Sequence, residues 1–141
     1  GKPFTRETED YIIKQLGYDF YQGLTLLGGE PMEPPNQKRL LPLVRRFKET
    51  YPEKDLWCFT GYLFDEDLLG KFAKQMPETM ELLKYIDILV DGEFVLEKKD
   101  VTLLFKGSSN QRTIDVQKSL KAGEIIFWNP GDTSMSKLAK I

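Results

Sequence analysis

The amino-acid sequence predicts an α/β fold built on a parallel sheet. Three short apolar runs, residues 23–27, 55–60 and 86–90, alternate with stretches of helical periodicity, and each run stops at a glycine-containing turn. Near-continuous apolar runs suit strands buried on both faces, joined by right-handed helical crossovers.

The elements follow in order. Thr5 precedes an acidic first turn (Glu7, Glu9, Asp10) and apolar Tyr11, Ile12 and Leu16, which predicts a capped helix ending at Gly17. Residues 23–27 form the first strand, halted by Gly28-Gly29. Leu40, Leu43, Val44 and Phe47 then recur at helical spacing, with Lys38, Arg39, Arg45, Arg46 and Lys48 on the opposite face. Pro42 falls inside that pattern at a cost on the order of 3 kcal/mol, so the helix is expected to begin or kink there. Residues 55–60 form the second strand, ended by Gly61. Helical pieces at 65–69 and 78–85 flank Pro77, and 86–90 is the third strand. Beyond Asp91-Gly92 the rhythm changes to a charged turn at 97–100, a brief apolar run at 101–105 and a polar loop at 107–111. Residues 114–120 and 124–128 read as an appended tail that adds one more strand. No internal repeat or low-complexity stretch is present.

Composition removes several function classes. Twenty Lys and Arg stand against 22 Asp and Glu, a net charge of -2, so no long-range positive field draws the chain to nucleic acid. No apolar run approaches the roughly 20 residues that span a bilayer, which argues against membrane insertion. The single cysteine, Cys58, excludes an internal disulfide framework and any multi-thiolate site within one copy, and it fits a reducing, cytoplasmic setting. Without histidine, Ser-His and Cys-His catalysis and His metal sites are ruled out. No catalytic or metal-ligating side chain is therefore assigned. Gly1-Lys2-Pro3-Phe4 lacks the features of a secretory signal and reads as a cut start.

Parallel α/β sheets bind ligands where the strands end, because free backbone groups gather there. The three strands end in Gly28-Gly29-Glu30-Pro31, Thr60-Gly61-Tyr62 and Asp91-Gly92, so all three clusters are expected to share one rim. Gly28 and Gly29 permit close approach to the main chain, and Glu30 offers an acceptor for an ammonium group, a combination suited to an amino-acid-like ligand. Taken singly, each cluster reads as an ordinary turn. The polar stretch 107–112 reads either as a functional segment or as a solvated loop, and Trp57 and Cys58 read as packing.

Five segments together carry a family resemblance: Gly1-Lys2-Pro3-Phe4-Thr5, Leu27-Gly28-Gly29-Glu30-Pro31-Met32, Lys54-Asp55-Leu56-Trp57 running into Thr60-Gly61-Tyr62, Leu89-Val90-Asp91-Gly92-Glu93-Phe94, and Gly107-Ser108-Ser109-Asn110-Gln111. In this order they resemble the activating proteins of anaerobic ribonucleoside-triphosphate reductase, which are radical S-adenosylmethionine (SAM) enzymes. The resemblance spans residues 1–112 and implies a truncated radical SAM domain there, with 113–141 as a C-terminal tail. It implies a partial (βα) barrel whose first strand and cluster loop, bearing Cys-x-x-x-Cys-x-x-Cys and a [4Fe-4S] cluster, are missing from this chain. Cys58 cannot replace those thiolates, so the chain by itself is expected to be inactive.

The same resemblance implies that Gly28, Gly29 and Glu30 grip the methionyl amino group of SAM, with Thr60 and Asp91 at the rim beside it. Phe59 and Leu89 do not clearly supply the monovalent-cation ligands of related activases, and that site stays open. Ser108, Asn110 and Arg112 are candidates for facing the partner. The implied partners are the large subunit of the anaerobic reductase and an electron donor such as flavodoxin. The implied reaction is reductive cleavage of SAM to a 5'-deoxyadenosyl radical that abstracts hydrogen from a backbone glycine of the reductase, with the cofactor carrying the difficult chemistry. An activase of the pyruvate formate-lyase type and a cluster-free docking module are the alternatives. Loss of the first strand is expected to leave a sheet edge exposed and prone to self-association.

Overall fold

The computed structural model describes residues 5–17, 23–26, 29–93, 110–129 and 139–140. Helix α1 (Arg6–Leu16) begins as its sequence demands: the Thr5 side chain accepts from the Thr8 N–H at 3.2 Å, Glu7 and Glu9 occupy the positive first turn, and Gly17 closes it. Strand β1 (Gly23–Leu26) is buried along its whole length. Helix α2 (Pro34–Thr50) starts eight residues before the expected boundary at Pro42 and runs through that proline. Two features explain the difference. Pro34 and Pro35 occupy the first turn, where a missing N–H costs nothing, and Pro42 lies on the exposed face, where water can satisfy the carbonyl left without a donor.

Strand β2 (Asp55–Phe59) leads into a nine-residue π-helix (Phe64–Phe72), in place of the short α-helical piece expected at 65–69. Its wider winding shows in the Leu68 N–H donating to the Leu63 carbonyl, five residues back, at 2.9 Å. The short α3 (Ala73–Gln75) and then α4 (Pro77–Tyr85) return the chain to β3 (Ile88–Asp91). After the segment outside the described residues, which includes the predicted turn at 97–100 and run at 101–105, come β4 (Arg112–Asp115) and α5 (Val116–Ala122), the latter capped by the Asp115 carboxylate on the Lys118 N–H. Arg112 and Thr113 are consecutive residues of β4. A two-residue strand β5 (Ala139–Lys140) completes the sheet.

The sheet order is β4-β3-β2-β1-β5. Strands β1, β2 and β3 are parallel to one another, as expected from the helices between them. The all-parallel expectation stops there, because β4 runs antiparallel to β3 with Asp91 opposite Arg112, a pairing that needs no helical crossover. The edge of β1 expected to lie open is also corrected: Leu24 and Thr25 pair with Ala139 and Lys140 of β5. At the other edge, the chain at 126–128 adds to β4 through Asp115 N–H to the Ile126 carbonyl and Trp128 N–H to the Thr113 carbonyl, both at 2.9 Å.

Strand alternation divides the core into two faces. Leu24, Leu26, Leu56, Cys58, Leu89 and Ile114 pack against the helices with Leu16, Val44, Phe47, Leu68 and Leu83. Trp57, Ile88 and Val90 form a second cluster with Trp128, which meets Trp57 edge-on with ring centroids 5.0 Å apart. Each fully buried side chain of this size contributes roughly 1.5–3 kcal/mol of transfer free energy. Among the described residues, no helix is long and apolar enough to cross a membrane.

Candidate functional site

The ends of β1, β2 and β3 meet at one rim, and side chains tie them together. Glu30, just past β1, is the hub. Its Oε2 accepts from the Met32 N–H at 2.8 Å and the Thr60 hydroxyl at 2.7 Å, and its Oε1 accepts from the Gly61 N–H at 2.5 Å. The backbone of the same turn is equally constrained. The Glu30 carbonyl accepts from the Asn36 amide at 2.9 Å, and the Met32 carbonyl accepts from buried Gln37, whose own oxygen takes the Thr79 hydroxyl at 2.6 Å. Thus α2, anchored through Gln37 to Thr79 of α4, holds the turn from beneath.

Thr60 is buried, and besides donating to Glu30 its hydroxyl oxygen accepts from the Tyr62 N–H at 3.1 Å. Its own N–H donates to the Val90 carbonyl at 3.0 Å, joining the end of β2 to that of β3. A second link follows: the Tyr62 hydroxyl donates to Glu33 Oε2 at 2.5 Å, and this bond to a carboxylate pushes the Tyr62 pKa up to about 12. Gly29 faces open space, with nothing within 4 Å of where a Cβ would stand. Gly28 lies outside the described residues, as does Ser108.

Asp91 is fully buried at the end of β3. It accepts from the Phe64 N–H at the start of the π-helix (2.7 Å) and forms a forked pair with Arg112, whose Nε and Nη2 stand 2.9 and 2.5 Å from its two oxygens. Arg112 also reaches Asp65 at 2.9 Å. The hydrogen bond to Asp91 strengthens the hold of Arg112 on its proton, and the guanidinium lowers the Asp65 pKa below the ordinary carboxylate value. Arg112 belongs to a run of three grips: the Asn110 amide donates to the Glu93 carbonyl (2.7 Å), Gln111 to the Gly92 carbonyl (3.0 Å), and Arg112 to the Asp91 carboxylate. The turn they clamp requires glycine, since Gly92 has φ +95°. Asn110 and Arg112, candidates for facing a partner, therefore direct these bonds at the end of β3.

The structure brings Glu30 and Thr60 into contact and places Asp91 one strand away in the same rim. The sequence assigns no individual role to several participants: Gln111, the Glu33–Tyr62 pair, and Glu93, whose Cα is 3.9 Å from where a Cβ on Gly61 would stand. The one signal for the clamp was three consecutive long polar side chains, Asn110-Gln111-Arg112, just before the apolar Ile114. Leu89 belongs to the helix-side core, and its side chain has no ligand atom to offer a cation.

Glu30 fits the ammonium of an aminoacyl ligand: a carboxylate has about four acceptor positions, and the described residues fill three of them and leave one on Oε1. An iron-sulfur cluster finds no such fit. It needs several thiolates, whereas Cys58 is the chain's one cysteine, and burial, aided by the nearby Glu30 charge, pushes its thiol pKa far up. Among the described residues no group of three or more acidic or cysteine side chains gathers to hold a metal. The cluster is not assigned to side chains of this chain.

Residues 1–114 match the family model described as "4Fe-4S single cluster domain", which puts this α/β chain in that domain family. Relatives named "Anaerobic ribonucleoside-triphosphate reductase-activating protein" narrow the class. That of Salmonella typhi is 42% identical over 113 residues, covering 79% of this chain and 68% of the relative. That of Haemophilus influenzae is 48% identical over 90 residues (64% and 53%), and that of Enterobacteria phage T4 is 40% identical over 113 residues (79% and 65%). The chain belongs to the family of anaerobic ribonucleoside-triphosphate reductase-activating proteins. No solved structure matches it.

Proposed function

We propose that this chain forms the SAM-binding rim of an activating enzyme whose target is anaerobic ribonucleoside-triphosphate reductase, and that its three parallel strands are part of a partial (βα) barrel. SAM bound here would supply the hydrogen-abstracting group, given one electron from a reductant such as an iron-sulfur cluster, and the glycyl radical would form on the reductase. The residues of this chain bind and orient that ligand. Gly29 leaves room for it to approach the main chain, and the free acceptor on Glu30 Oε1 takes its ammonium. Thr60 and Asp91 border it. Asp91, with both oxygens engaged by Arg112 and the Phe64 N–H, holds the adjoining wall in place.

The observation that carries this reading is the Glu30 carboxylate, anchored by three donors at the meeting point of β1 and β2 with one acceptor unfilled beside an open glycine. Family membership supports the target, because the relatives are named for activating that reductase. The test is calorimetric titration of SAM into the intact, anaerobically prepared protein and its Glu30→Gln variant. A hydrogen bond to a charged group is worth roughly 1.5–3 kcal/mol, so affinity should fall about tenfold or more. Unchanged affinity overturns the assignment.

A further inference from the structure

We infer that Thr60 and Gly61 are positioning residues for Glu30: together they aim its carboxylate so that one acceptor of Oε1 is left for the ligand. This rests on the reading of Glu30 as the ammonium acceptor and gives Thr60 a role other than direct ligand contact.

A glutamate at the end of a strand has three freely rotating side-chain bonds, and holding it in one rotamer costs conformational entropy. That cost falls on ligand binding unless the protein fixes the rotamer beforehand. Here the rotamer is fixed from two directions. The Met32 N–H holds Oε2 from the same turn, and the Thr60 hydroxyl and Gly61 N–H reach across from β2 to hold both oxygens. The Thr60 hydroxyl is itself oriented: it accepts from the Tyr62 N–H, so its proton is directed at Glu30. With its donor and an acceptor position both engaged, the buried hydroxyl does its work through Glu30.

Gly61 acts through the space it leaves. A Cβ there would stand 3.2 Å from Glu30 Oε1, the oxygen that keeps the unfilled acceptor, and nearer to nothing else. A methyl group would thus crowd the one atom the ligand needs. The local sequence Thr60-Gly61-Tyr62 supplies a side-chain donor, a backbone donor without a side chain, and a backbone donor that orients the first.

The test is a mutant cycle on the intact, anaerobically prepared protein, read by SAM affinity in calorimetry alongside the thermal midpoint. Thr60→Val, which keeps the shape and removes the donor, should weaken SAM about tenfold, the size of one lost charge-assisted hydrogen bond. Thr60→Ser should return affinity to within about twofold of wild type, since the hydroxyl is restored. Gly61→Ala should weaken SAM with little change in midpoint, and it carries the test should Thr60→Val not fold. The double variant Thr60→Val/Glu30→Gln should bind no more weakly than Glu30→Gln alone, because two residues acting through one carboxylate are not additive. Wild-type affinity in both Thr60→Val and Gly61→Ala, or full additivity in the double variant, overturns the inference while leaving Glu30 as the acceptor. Wild-type affinity in Glu30→Gln overturns the underlying reading instead.

Discussion

The two ends of the parallel strands treat their carboxylates in opposite ways. At the carboxyl rim, Glu30 and Asp91 are each met by three hydrogen bonds, from backbone N–H groups, a hydroxyl and a guanidinium. At the amino end, Asp55 opens β2 and Asp87 precedes β3, and Lys48 is the cation that bears on both. Lys48 pairs with Asp87 Oδ2 at 2.7 Å, and that oxygen also accepts from the Leu56 N–H. Partial burial, with the Asp87 charge adding to it, pushes the Asp55 pKa up to about 6. Backbone geometry explains the contrast. The helices that follow parallel strands begin at the carboxyl edge and bring N–H donors to it, whereas at the opposite edge Asp87 takes one backbone N–H, from Leu56, and relies on Lys48 for its counter-charge.

The largest effect that could break this comparison lies at Asp91. Asp91→Ala would leave the Arg112 guanidinium and the Phe64 N–H without their buried acceptor, and breaking one side of such a pair costs about 3 kcal/mol or more. Urea denaturation should show a loss of that order; a loss under about 0.5 kcal/mol would mean that the clamp is ornamental.

The next effect has the opposite sign. Because the folded pKa of Asp55 is raised, the folded state binds more protons than the unfolded state between the ordinary aspartate value and about 6, so stability falls as pH rises through that window. Asp55→Asn should therefore stabilise the protein at pH 7 by about 1 kcal/mol, after discounting for the water that still reaches a half-buried group. The gain should shrink below pH 6 and vanish below about pH 4, where the wild-type carboxyl is protonated in both states. Asp65 at the rim behaves conversely: its lowered pKa contributes stability present above the ordinary aspartate value and lost as pH falls through its folded pKa. The smallest effect sharpens the amino end. Lys48→Gln removes the one charge that opposes the Asp55 shift, so the Asp55 titration followed by carboxyl NMR should move above its wild-type midpoint near 6, and a downward move would contradict the assignment.

What could be read in the sequence was whatever depends on near neighbours. Thr5 and Gly17 mark the ends of α1 because a cap and a stop act within one turn, and the three apolar strands declare themselves because burial on both faces leaves no polar alternation. The shared rim of Glu30, Thr60 and Asp91 was legible for the same reason, since parallel strands must end together. Pro42 misled, because a proline on an exposed helix face is tolerated at a cost that packing elsewhere can offset. The π-helix was hidden, because Phe64, Leu68, Leu69 and Phe72 satisfy an apolar period close to that of an α-helix. The direction of β4 and the clamp of Asn110, Gln111 and Arg112 rest on contacts between residues about twenty positions apart, which periodicity does not report.

The central claim is that the aminoacyl end of SAM lies at the carboxyl rim, and a crystal structure of the intact protein with SAM bound tests it most directly. The account predicts the methionyl nitrogen about 3 Å from Glu30 Oε1, with Thr60 and Gly61 still bonded to that carboxylate. A methionyl group seated away from Glu30, or a Glu30 side chain swung free of Thr60 when the ligand is present, would contradict it.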